Sequence, residues 1–317
     1  MFIRKFKKKV SYIFNYGVEV GIYIILHKIF SKKQNKIYNY FLIKKHNSIL
    51  KYLKKKYKYF IDEYKNKKDI NNYKENISMP IWSFWWQGEE NAPEINQICF
   101  KSIKNFSNGH PVIIISKDNI KDYIEVPDFI INKFQKGIIS ITHFSDIVRF
   151  KLLNRYGGIW VDASIYLSNN IEEDIFNYEF FTAKVNGFNT SCISKGRWVI
   201  GLIGGKSNNI LLDFLDKFHY EYWKNENELI DYFLCDYMIQ IALEEIPYIQ
   251  QLLKKILKDN NHIFDMRSHL NDKFDIDIYN SYIKNSNFHS FQRRNKYIKF
   301  NNNEITNYGY LYKEFIN

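Results

Sequence analysis

Apolar residues along the chain follow two alternating spacings, and this alternation predicts an α/β fold. Residues 81–86 and 112–116 are short β-prone runs, whereas residues 93–106 and 127–135 carry apolar side chains at helical spacing. Strands and helices that alternate in this order favour a mostly parallel sheet with helices packed on its faces. This part of the chain therefore predicts the first half of a Rossmann-like nucleotide-binding fold.

The second half of the chain has a different order of elements. Strands are predicted over residues 180–184 and 198–205, and three helices follow near residues 210–223, 228–244 and 248–257. The chain thus changes from regular strand–helix alternation to two strands followed by helices.

The stretch from residue 142 to residue 164 predicts a helix, a diglycine turn and a strand. Residues 142–156 carry apolar side chains at helical spacing with almost no polar break, which indicates a largely buried helix. Gly157 and Gly158 are expected to end this helix, because glycine adopts the left-handed conformation most easily. Residues 159–161 then predict a short buried strand.

Two carboxylates and an arginine surround this turn. Asp146 and Arg149 lie three residues apart on the predicted helix and therefore share one face. Asp162 follows the strand directly, at the edge of an open α/β sheet where ligands bind. A buried Asp–Arg pair beside a second carboxylate is costly unless a ligand needs it, so the stretch predicts a nucleotide-sugar site. The alternative is a salt-bridged helix packed on a strand, with Asp162 as a cap or turn former.

Aromatic and polar groups follow the first predicted strand at the same sheet edge. Trp85, Trp86, Gln87 and Gly88 form a predicted corner between this strand and the next helix. A tryptophan face can stack on a uracil ring, worth about 1 to 3 kcal/mol by analogy with base stacking, and Gln87 can contact a base or ribose edge. The alternative is that two of the three tryptophans, which include Trp82, fill the core.

Composition indicates a folded chain with a sizeable core. Of the 317 residues, 45% are apolar and 18% are aromatic, which excludes intrinsic disorder. The three cysteines, Cys99, Cys192 and Cys235, are odd in number and widely spaced. This pattern argues against a disulfide framework and against a zinc site.

Positive charge is concentrated in the N-terminal part of the chain. Residues 1–78 hold 20 Lys and Arg against 5 Asp and Glu, whereas the rest of the chain holds 26 against 29. We predict that residues 1–78 form basic amphipathic helices that associate with an anionic membrane surface, and that residues 79–317 form a separate domain. The prediction rests on two apolar stripes, Phe2, Phe6, Val10 and Ile13, and Leu50, Leu53, Tyr57, Ile61 and Tyr64.

The same N-terminal segment lacks the pattern of a membrane span. Its longest uncharged apolar run, residues 20–26, is too short to cross a bilayer, and the flanking Glu19 and Lys28 exclude a signal-peptide core. The protein is therefore expected to be cytoplasmic. Two alternatives are that the lysines form a solvated helical face packed on the second domain, or that they bind nucleic acid. The segment contains no recognised nucleic-acid module, and no nucleic-acid partner is expected.

Three segments together carry a resemblance to a known family. They are Ser145, Asp146 and Arg149, YGGIWVDAS at 156–164, and IWSFWWQGEENAP at 81–93. Over roughly residues 79–300 the chain resembles bacterial capsular polysaccharide synthesis glycosyltransferases. These are related to family 32 glycosyltransferases and, more distantly, to the glucosylating domains of large clostridial toxins.

This resemblance implies a GT-A type fold, with residues 79–317 as the catalytic domain. The implied reaction transfers a hexose from a UDP-sugar, with retention of anomeric configuration, to a lipid-linked or oligosaccharide acceptor. The acceptor would be a membrane-associated glycan of capsular or surface polysaccharide synthesis, on the inner face of the bacterial cytoplasmic membrane.

The resemblance also implies roles for the residues around the diglycine. Asp146 and Arg149, with Ser145 beside them, become contacts to the donor sugar. Asp162 becomes the first aspartate of an Asp-x-Asp motif that binds the sugar nucleotide and a divalent ion, Mn²⁺ or Mg²⁺. The second aspartate of that motif is Ser164 here, and a hydroxyl is a weaker, neutral oxygen ligand than a carboxylate. A catalytically degenerate glycan- or nucleotide-sugar-binding protein is therefore the alternative function.

The second half of the chain is implied to supply the acceptor side. Asp236 lies in an aromatic helix, in a region where relatives place a carboxylate near the reacting carbon. It is expected to orient the acceptor or stabilise an oxocarbenium-like transition state, and a helix–helix hydrogen bond is the alternative. His289 matches a C-terminal histidine that binds metal or diphosphate in relatives, unless it is structural. Arg293 and Arg294 could add positive charge for phosphate.

Overall fold

A five-stranded sheet lies at the centre of the protein, described here by a computed structural model for residues 11–31, 36–67, 79–185, 192–255 and 262–317. The strands are β1 (Ile81–Phe84), β2 (Val112–Ile115), β3 (Gly158–Val161), β4 (Ile165–Leu167), β5 (Phe180–Thr182), β6 (Leu202–Gly205), β7 (Phe288–Ser290), β8 (Phe300–Asn301) and β9 (Glu304–Ile305). The central sheet has the order β2-β1-β3-β6-β5, and all of its strands except β6 run in the same direction. The prediction of a mostly parallel sheet is confirmed.

Helices cover this sheet and form the N-terminal part of the chain. They are α1 (Val18–Phe30), α2 (Lys36–Lys56), α3 (Lys58–Lys65), α4 (Glu94–Asn105), α5 (Ile120–Tyr123), α6 (Asp128–Gln135), α7 (Ile141–Tyr156), α8 (Ile210–Asn225), α9 (Leu234–Glu245), α10 (Pro247–Lys254), α11 (Ile276–Asn285) and α12 (Asn307–Phe315). Residues 11–16 are also helical. Within the described residues no helix is both long enough and apolar enough to cross a membrane.

The register of the parallel strands places their carboxyl ends at one edge of the sheet. Ile81 of β1 pairs with Val112 of β2 and with Ile159 of β3. The chain therefore leaves β1 towards Trp85 and leaves β3 towards Asp162 at the same edge. Ligands bind at this edge in open α/β sheets, so the fold brings the two predicted motifs together.

The diglycine turn fixes how α7 joins β3. Ser140 caps the start of α7 by accepting a hydrogen bond from the His143 backbone. Gly157 ends the helix with φ of 69°, and Gly158 follows with φ of 92°. A Cβ atom at residue 158 would lie 2.1 Å from the Pro80 carbonyl oxygen, so both the turn and the close approach require glycine. The buried Trp82 donates its indole N–H to the Gly157 carbonyl over 2.9 Å, which confirms that this tryptophan is part of the core.

Of the predicted strands, the one over residues 198–205 is shortened most in the structure. Residues 198–205 were expected to be extended, but β6 begins at Leu202. Trp198 instead lies in the preceding loop, where its indole N–H donates to Asp236 over 2.9 Å. Residues 198–201 therefore form a partly buried loop, which the spacing of apolar residues alone does not distinguish from a strand.

The N-terminal helices share their core with the rest of the chain. Leu53, Tyr57 and Phe60 are buried in the same apolar cluster as Phe214 and Phe218 of α8. The apolar stripe of residues 50–64 therefore faces the protein interior, with all of its members buried except the half-buried Leu50.

Ion pairs join the same two parts of the chain. Lys45 pairs with Asp231 at 2.8 Å and Lys56 with Glu226 at 2.6 Å. The boundary predicted between residues 78 and 79 thus does not separate two cores, and the alternative of lysines packed on the second domain describes these helices. Phe2, Phe6 and Val10 lie outside the described residues, so membrane association of residues 1–78 stays a prediction.

Candidate active site

Two adjoining cavities open at the carboxyl edge of the sheet. The tryptophan cavity, of about 580 Å³, is lined by residues that include Trp85, Trp86, Gln87, Ser145, Ser164, Arg293 and Arg294. The Asp236 cavity, of about 520 Å³, is lined by residues that include Asp146, Cys192, Trp198, Phe233, Phe264, Asp236 and Arg267. Their common wall consists of Thr142, Arg149, Asp162 and Tyr232. Nearly all of the predicted site residues therefore meet in one cleft.

Arg149 holds two carboxylates together at this common wall. Its Nη1 donates to Asp146 Oδ1 over 2.9 Å, and its Nη2 donates to Asp162 Oδ1 over 2.8 Å. The Trp160 indole N–H donates to the same Asp162 oxygen over 2.6 Å. Only 3% of the Arg149 side chain is exposed, so the pair is shielded from solvent and strongly oriented.

Electrostatics keeps this buried pair charged. Burial would raise the pKa of Asp146, but Arg149 and then His143 outweigh it and hold that pKa below its usual range. Burial would likewise lower the pKa of Arg149, and the charges of Asp162 and Asp146 more than offset this effect. Desolvation is thus balanced by the opposite charges within the cluster.

Asp162 presents its second carboxylate oxygen to the cleft. Among the described residues only its Oδ1 is hydrogen-bonded, and 38% of its side chain is exposed. A Cβ atom at Gly201 would lie 2.6 Å from Asp162 Oδ2, so a glycine at residue 201 leaves space beside this oxygen. The carboxylate is therefore fixed through one oxygen and available through the other.

The two predicted serines lie on the tryptophan-cavity side. Ser145 lines that cavity and donates its hydroxyl to the Thr142 carbonyl over 2.7 Å. Ser164 lines it as well, and its carbonyl accepts a hydrogen bond from the Phe291 backbone over 2.7 Å. This bond holds the C-terminal segment that contains Arg293 and Arg294 next to the turn of residues 162–164.

The predicted tryptophan corner forms one end of this cavity. Trp86 packs edge-on against Phe134 and Phe144, with ring centroids 5.3 and 5.4 Å apart. The guanidinium carbon of Arg293 lies 5.7 Å from the centre of the Trp85 ring. Gly88 lies outside the cavity walls, where its φ of 92° sets the turn after these side chains.

Asp236 lies in the adjoining cavity, as its aromatic surroundings indicated. Burial, and to a smaller extent the charge of Asp146, raise the pKa of Asp236 to about 6. The indole N–H of Trp198 stabilises the ionised form and only partly compensates. A largely desolvated carboxyl group whose pKa is raised to about 6 is typical of functional sites.

The structure corrects the placement of His289. This residue lies on β7, which pairs with β4 through Tyr166 and His289, and its side chain is 1% exposed. It forms a hydrogen bond with Ser168 Oγ at 3.1 Å and lines neither cavity. Burial lowers the pKa of this histidine to about 4. The predicted roles of His289 in nucleotide and metal binding lack support from this position, which fits the structural alternative.

Tyr232 and Asn96 are two of the cleft residues that the sequence did not predict. Tyr232 belongs to the common wall and is 65% exposed, but it was assigned to a helix that begins only at Leu234. Asn96 donates to the Ala163 carbonyl over 2.7 Å, and its buried Oδ1 has no partner in the described chain. The sequence signal that could have identified Asn96 was its polar amide side chain beside Ile95 and Ile98, which lie on the buried face of α4.

The turn of residues 162–164 offers few oxygen ligands for a metal ion. Across the described ranges, no group of three or more His, Cys, Asp or Glu side chains could hold a metal ion. Asp162, whose Oδ2 accepts no hydrogen bond from the described residues, and Ser164 are the residues at this turn that have side-chain oxygens and line the cleft. Magnesium is usually held by one or two carboxylates together with substrate phosphates. The residues present therefore fit a divalent cation that is bound jointly with a diphosphate.

Comparison with known proteins identifies relatives of the chain. It is 27% identical over 106 residues to O-glycosyltransferase braB of Annulohypoxylon truncatum, an alignment that covers 31% of this chain and 25% of that protein. It is 26% identical over 121 residues to glycosyltransferase afumC of Aspergillus fumigatus, covering 34% of this chain and 31% of that protein. The chain thus spans less than a third of the length of these curated relatives.

A solved structure and a family model extend the comparison. The PaToxG glycosyltransferase superimposes with a TM-score of 0.39 at 15% identity, covering 69% of this chain and 84% of that chain. The family model described as capsular polysaccharide synthesis protein matches residues 26–311, nearly the whole chain and including α2 and α3. The chain belongs to the capsular polysaccharide synthesis protein family.

Proposed function

We propose that this protein is a GT-A type glycosyltransferase that transfers a hexose from a UDP-sugar to a glycan acceptor in capsular or surface polysaccharide synthesis. The observation that carries the proposal is the pair of cavities that meet at Asp162 and Arg149. One cavity combines aromatic and cationic side chains, and the other contains a carboxyl group with a raised pKa. A group-transfer enzyme needs two such compartments for its donor and acceptor.

The tryptophan cavity suits a nucleoside diphosphate. Trp85 or Trp86 offers an aromatic face for the uracil ring, and Gln87 offers an amide for the base or ribose. Arg293 and Arg294 line the same cavity, and neither has an ion-pair partner among the described residues. Their charges are therefore available to the diphosphate, whose negative charge grows as the anomeric bond breaks.

The common wall suits the donor hexose. Asp146 and Arg149 are held rigidly at the junction of the cavities, and Ser145 adds a hydroxyl on the nucleotide side. Sugar hydroxyls bind well to such fixed, charged hydrogen-bonding groups. The anomeric carbon would then lie near Asp162, between the diphosphate and the acceptor.

The Asp236 cavity suits the acceptor, which we assign to the class of lipid-linked or other oligosaccharides. In a transfer with retention, the acceptor oxygen attacks from the face that the diphosphate leaves, and the departing phosphate oxygen accepts the hydroxyl proton. Asp236 would orient the acceptor hydroxyl and stabilise positive charge on the sugar ring. Because its pKa is about 6, most of this group is ionised at neutral pH.

Mn²⁺ or Mg²⁺ is the proposed cofactor. When bound, such a cation neutralises charge on the diphosphate and thereby stabilises the leaving group. Asp162 and Ser164 are the residues that would hold it. Since Ser164 supplies no negative charge, we expect weaker binding of the free cation than at a site with two aspartates.

Nucleotide release from a panel of nucleotide sugars tests the proposal. The full chain should bind UDP by calorimetry and should hydrolyse at least one UDP-sugar, with loss of turnover in EDTA. Asp162→Asn should abolish turnover and leave a folded protein that still melts cooperatively, but at a lower temperature, since the amide keeps the packing while the buried Arg149 loses one of its two opposite charges. The exposed Asp118→Asn is the matched control. Turnover by D162N at the parent rate would contradict the assignment.

Ser164 stands where the motif has its second aspartate, and this replacement favours a second candidate function. The protein would then be catalytically degenerate and would bind glycans or nucleotide sugars without turnover. Such a protein would bind UDP in the same titration and never consume a UDP-sugar. The panel separates the two functions because binding and turnover are measured on the same preparation.

A further inference from the structure

An apolar surface is exposed on the two N-terminal helices. Nine of the 13 residues of α1 are apolar, yet only Val20 and Gly21 of this helix are buried. The helix packs antiparallel to α2, with Phe30 stacked on Phe41 at 5.0 Å and Glu19 paired with Lys51 at 2.8 Å. The exposed apolar residues of α1 and α2, together with Phe14 of the helical residues 11–16, form what we call the hairpin surface, which consists of Phe14, Val18, Ile22, Ile29, Ile37, Tyr40 and Ile43.

This surface is distinct from the stripe that the N-terminal helices bury. Residues 50–64 face the core and contact α8 and α9. In contrast, Val18 is 63% exposed, and Ile29 is 56% exposed. Val18, Ile22 and Ile29 lie four and seven residues apart along α1, which places them on one side of that helix. A contiguous exposed apolar face of this kind marks an interaction site.

The lysines of the N-terminal part divide into two groups. Lys45, Lys54 and Lys56 point towards the rest of the protein and pair with Asp231, Glu245 and Glu226. Lys28, Lys36 and Lys44 lie on the helices of the hairpin surface and have no carboxylate partner in the described chain. The neutralised lysines stabilise the fold, whereas the unpaired ones leave positive charge beside the apolar face.

The local sequence reinforces this charge. Residues 1–61 contain 16 Lys and Arg and a single acidic residue, Glu19, whose partner is Lys51. A second copy of the chain would bring the same positive charges together across a two-fold axis, which opposes self-association. An anionic bilayer offers both negative head groups and an apolar layer below them.

We infer that the hairpin surface docks the protein on an anionic lipid bilayer, with α1 lying in the plane of the interface. With 13 residues, α1 is about 20 Å long, too short to cross a hydrocarbon core of about 30 Å. This inference deepens the proposed function, since it names the surface that would hold the cleft near a lipid-linked acceptor. The docking itself does not depend on the proposed function; only its biological role, holding the cleft near a lipid-linked acceptor, does.

Vesicle flotation tests the inference with the full chain. The protein should float with vesicles of phosphatidylglycerol and phosphatidylcholine at low salt, and it should not float with phosphatidylcholine alone. Higher ionic strength should progressively release it, because salt screens the lysines. Val18→Ser, Ile22→Ser and Ile29→Ser combined should reduce the bound fraction about tenfold or more.

A matched triple variant controls for lost surface hydrophobicity. Ile276, Ile278 and Phe300 are 52%, 51% and 63% exposed, far from the hairpin in sequence, and their replacement by serine should leave flotation unchanged. Lys28→Glu, Lys36→Glu and Lys44→Glu combined should reduce the bound fraction at least as strongly as the hairpin variant. All three variants should keep the parent melting temperature.

Three results would overturn the inference. They are a full chain that does not float, a hairpin variant that floats like the parent, and self-association that the hairpin substitutions abolish in light scattering. Hydrolysis of a soluble UDP-sugar should be unchanged in the hairpin variants. If the chain floats but never consumes a UDP-sugar, the docking surface stands and the proposed function fails.

Discussion

Arg149 illustrates, at the scale of single residues, how one side chain serves both packing and the site. The sequence predicted Asp146 and Arg149 on one helix face, and Asp162 beyond the turn. It did not predict that one guanidinium joins both carboxylates, because the distance between a helix and the end of a strand is set by tertiary packing. The structural alternative and the sugar-binding role therefore share the same contacts and require a mutational test.

Arg149→Lys should lose activity nearly as completely as Arg149→Ala. A lysine keeps the charge, but its single nitrogen cannot span both carboxylates in the planar geometry of the guanidinium. The two variants should differ in stability, because R149A leaves Asp146 buried without its partner, at a cost of about 3 to 5 kcal/mol. Turnover and chemical unfolding of both proteins measure this difference. Recovery of much of the turnover by lysine would favour a purely structural pair.

Asp236→Asn should stabilise the protein at neutral pH while lowering its activity. Folding raises the pKa of Asp236 to about 6, so the stability of the parent falls as the pH rises from about 4 to about 6 and stays lower above it. An asparagine lacks this penalty, which is on the order of 2 to 3 kcal/mol, and it can still accept the Trp198 hydrogen bond. The variant should therefore melt higher than the parent at pH 7.5 and equally at pH 4.

The exposed Asp118→Asn is the control for this pH dependence and should follow the parent at both values. A melting difference for D236N that is independent of pH would show that ionisation of Asp236 does not cause it. Retained turnover in D236N would remove this residue from the proposed mechanism.

At the scale of elements, the structure agrees with those predictions that rest on neighbouring residues in the sequence. The end of α7 and the start of β3 were predicted because two adjacent glycines have a direct backbone consequence. The antiparallel β4–β7 pair was not predicted, since it joins residues 165–167 to 288–290 and no local pattern encodes such a pairing. His289 was misplaced for this reason: its motif was visible, but the strand partner that buries it was not.

Gly158→Ala should destabilise the protein more than alanine at another glycine with positive φ. Gly158 and Gly109 have φ of 92° and 81°, so both variants carry the left-handed strain of about 1 to 2 kcal/mol. Only at residue 158 would the new Cβ meet a backbone atom, the Pro80 carbonyl oxygen at 2.1 Å. Denaturant unfolding should show a larger loss for G158A than for G109A, together with lower turnover because β3 carries Asp162. Equal losses would mean that the close approach does not matter.

At the scale of the whole molecule, residues 1–78 and residues 79–317 differ in net charge but share one apolar core. The abrupt change in net charge near residue 78 suggested two domains, since an apolar stripe among lysines is compatible with a membrane or with a protein partner. The structure places α2 and α3 against α8 and α9, and several of their lysines pair with carboxylates there. The basic excess of one part thus meets the acidic excess of the other, which residue counts alone could not show.

Deletion of residues 1–78 should therefore yield an unfolded or insoluble chain. The deletion removes Leu53, Tyr57 and Phe60 from the core and exposes Phe214 and Phe218, which they cover. A single large-to-small change such as Phe60→Ala already costs about 3 to 5 kcal/mol, a large share of the stability of a typical protein. Deletion of residues 1–10 alone is the control and should leave a cooperative melting transition and donor hydrolysis in place. A soluble 79–317 fragment that melts cooperatively and hydrolyses its donor would show that the catalytic part folds without α2 and α3, and that their shared core is dispensable.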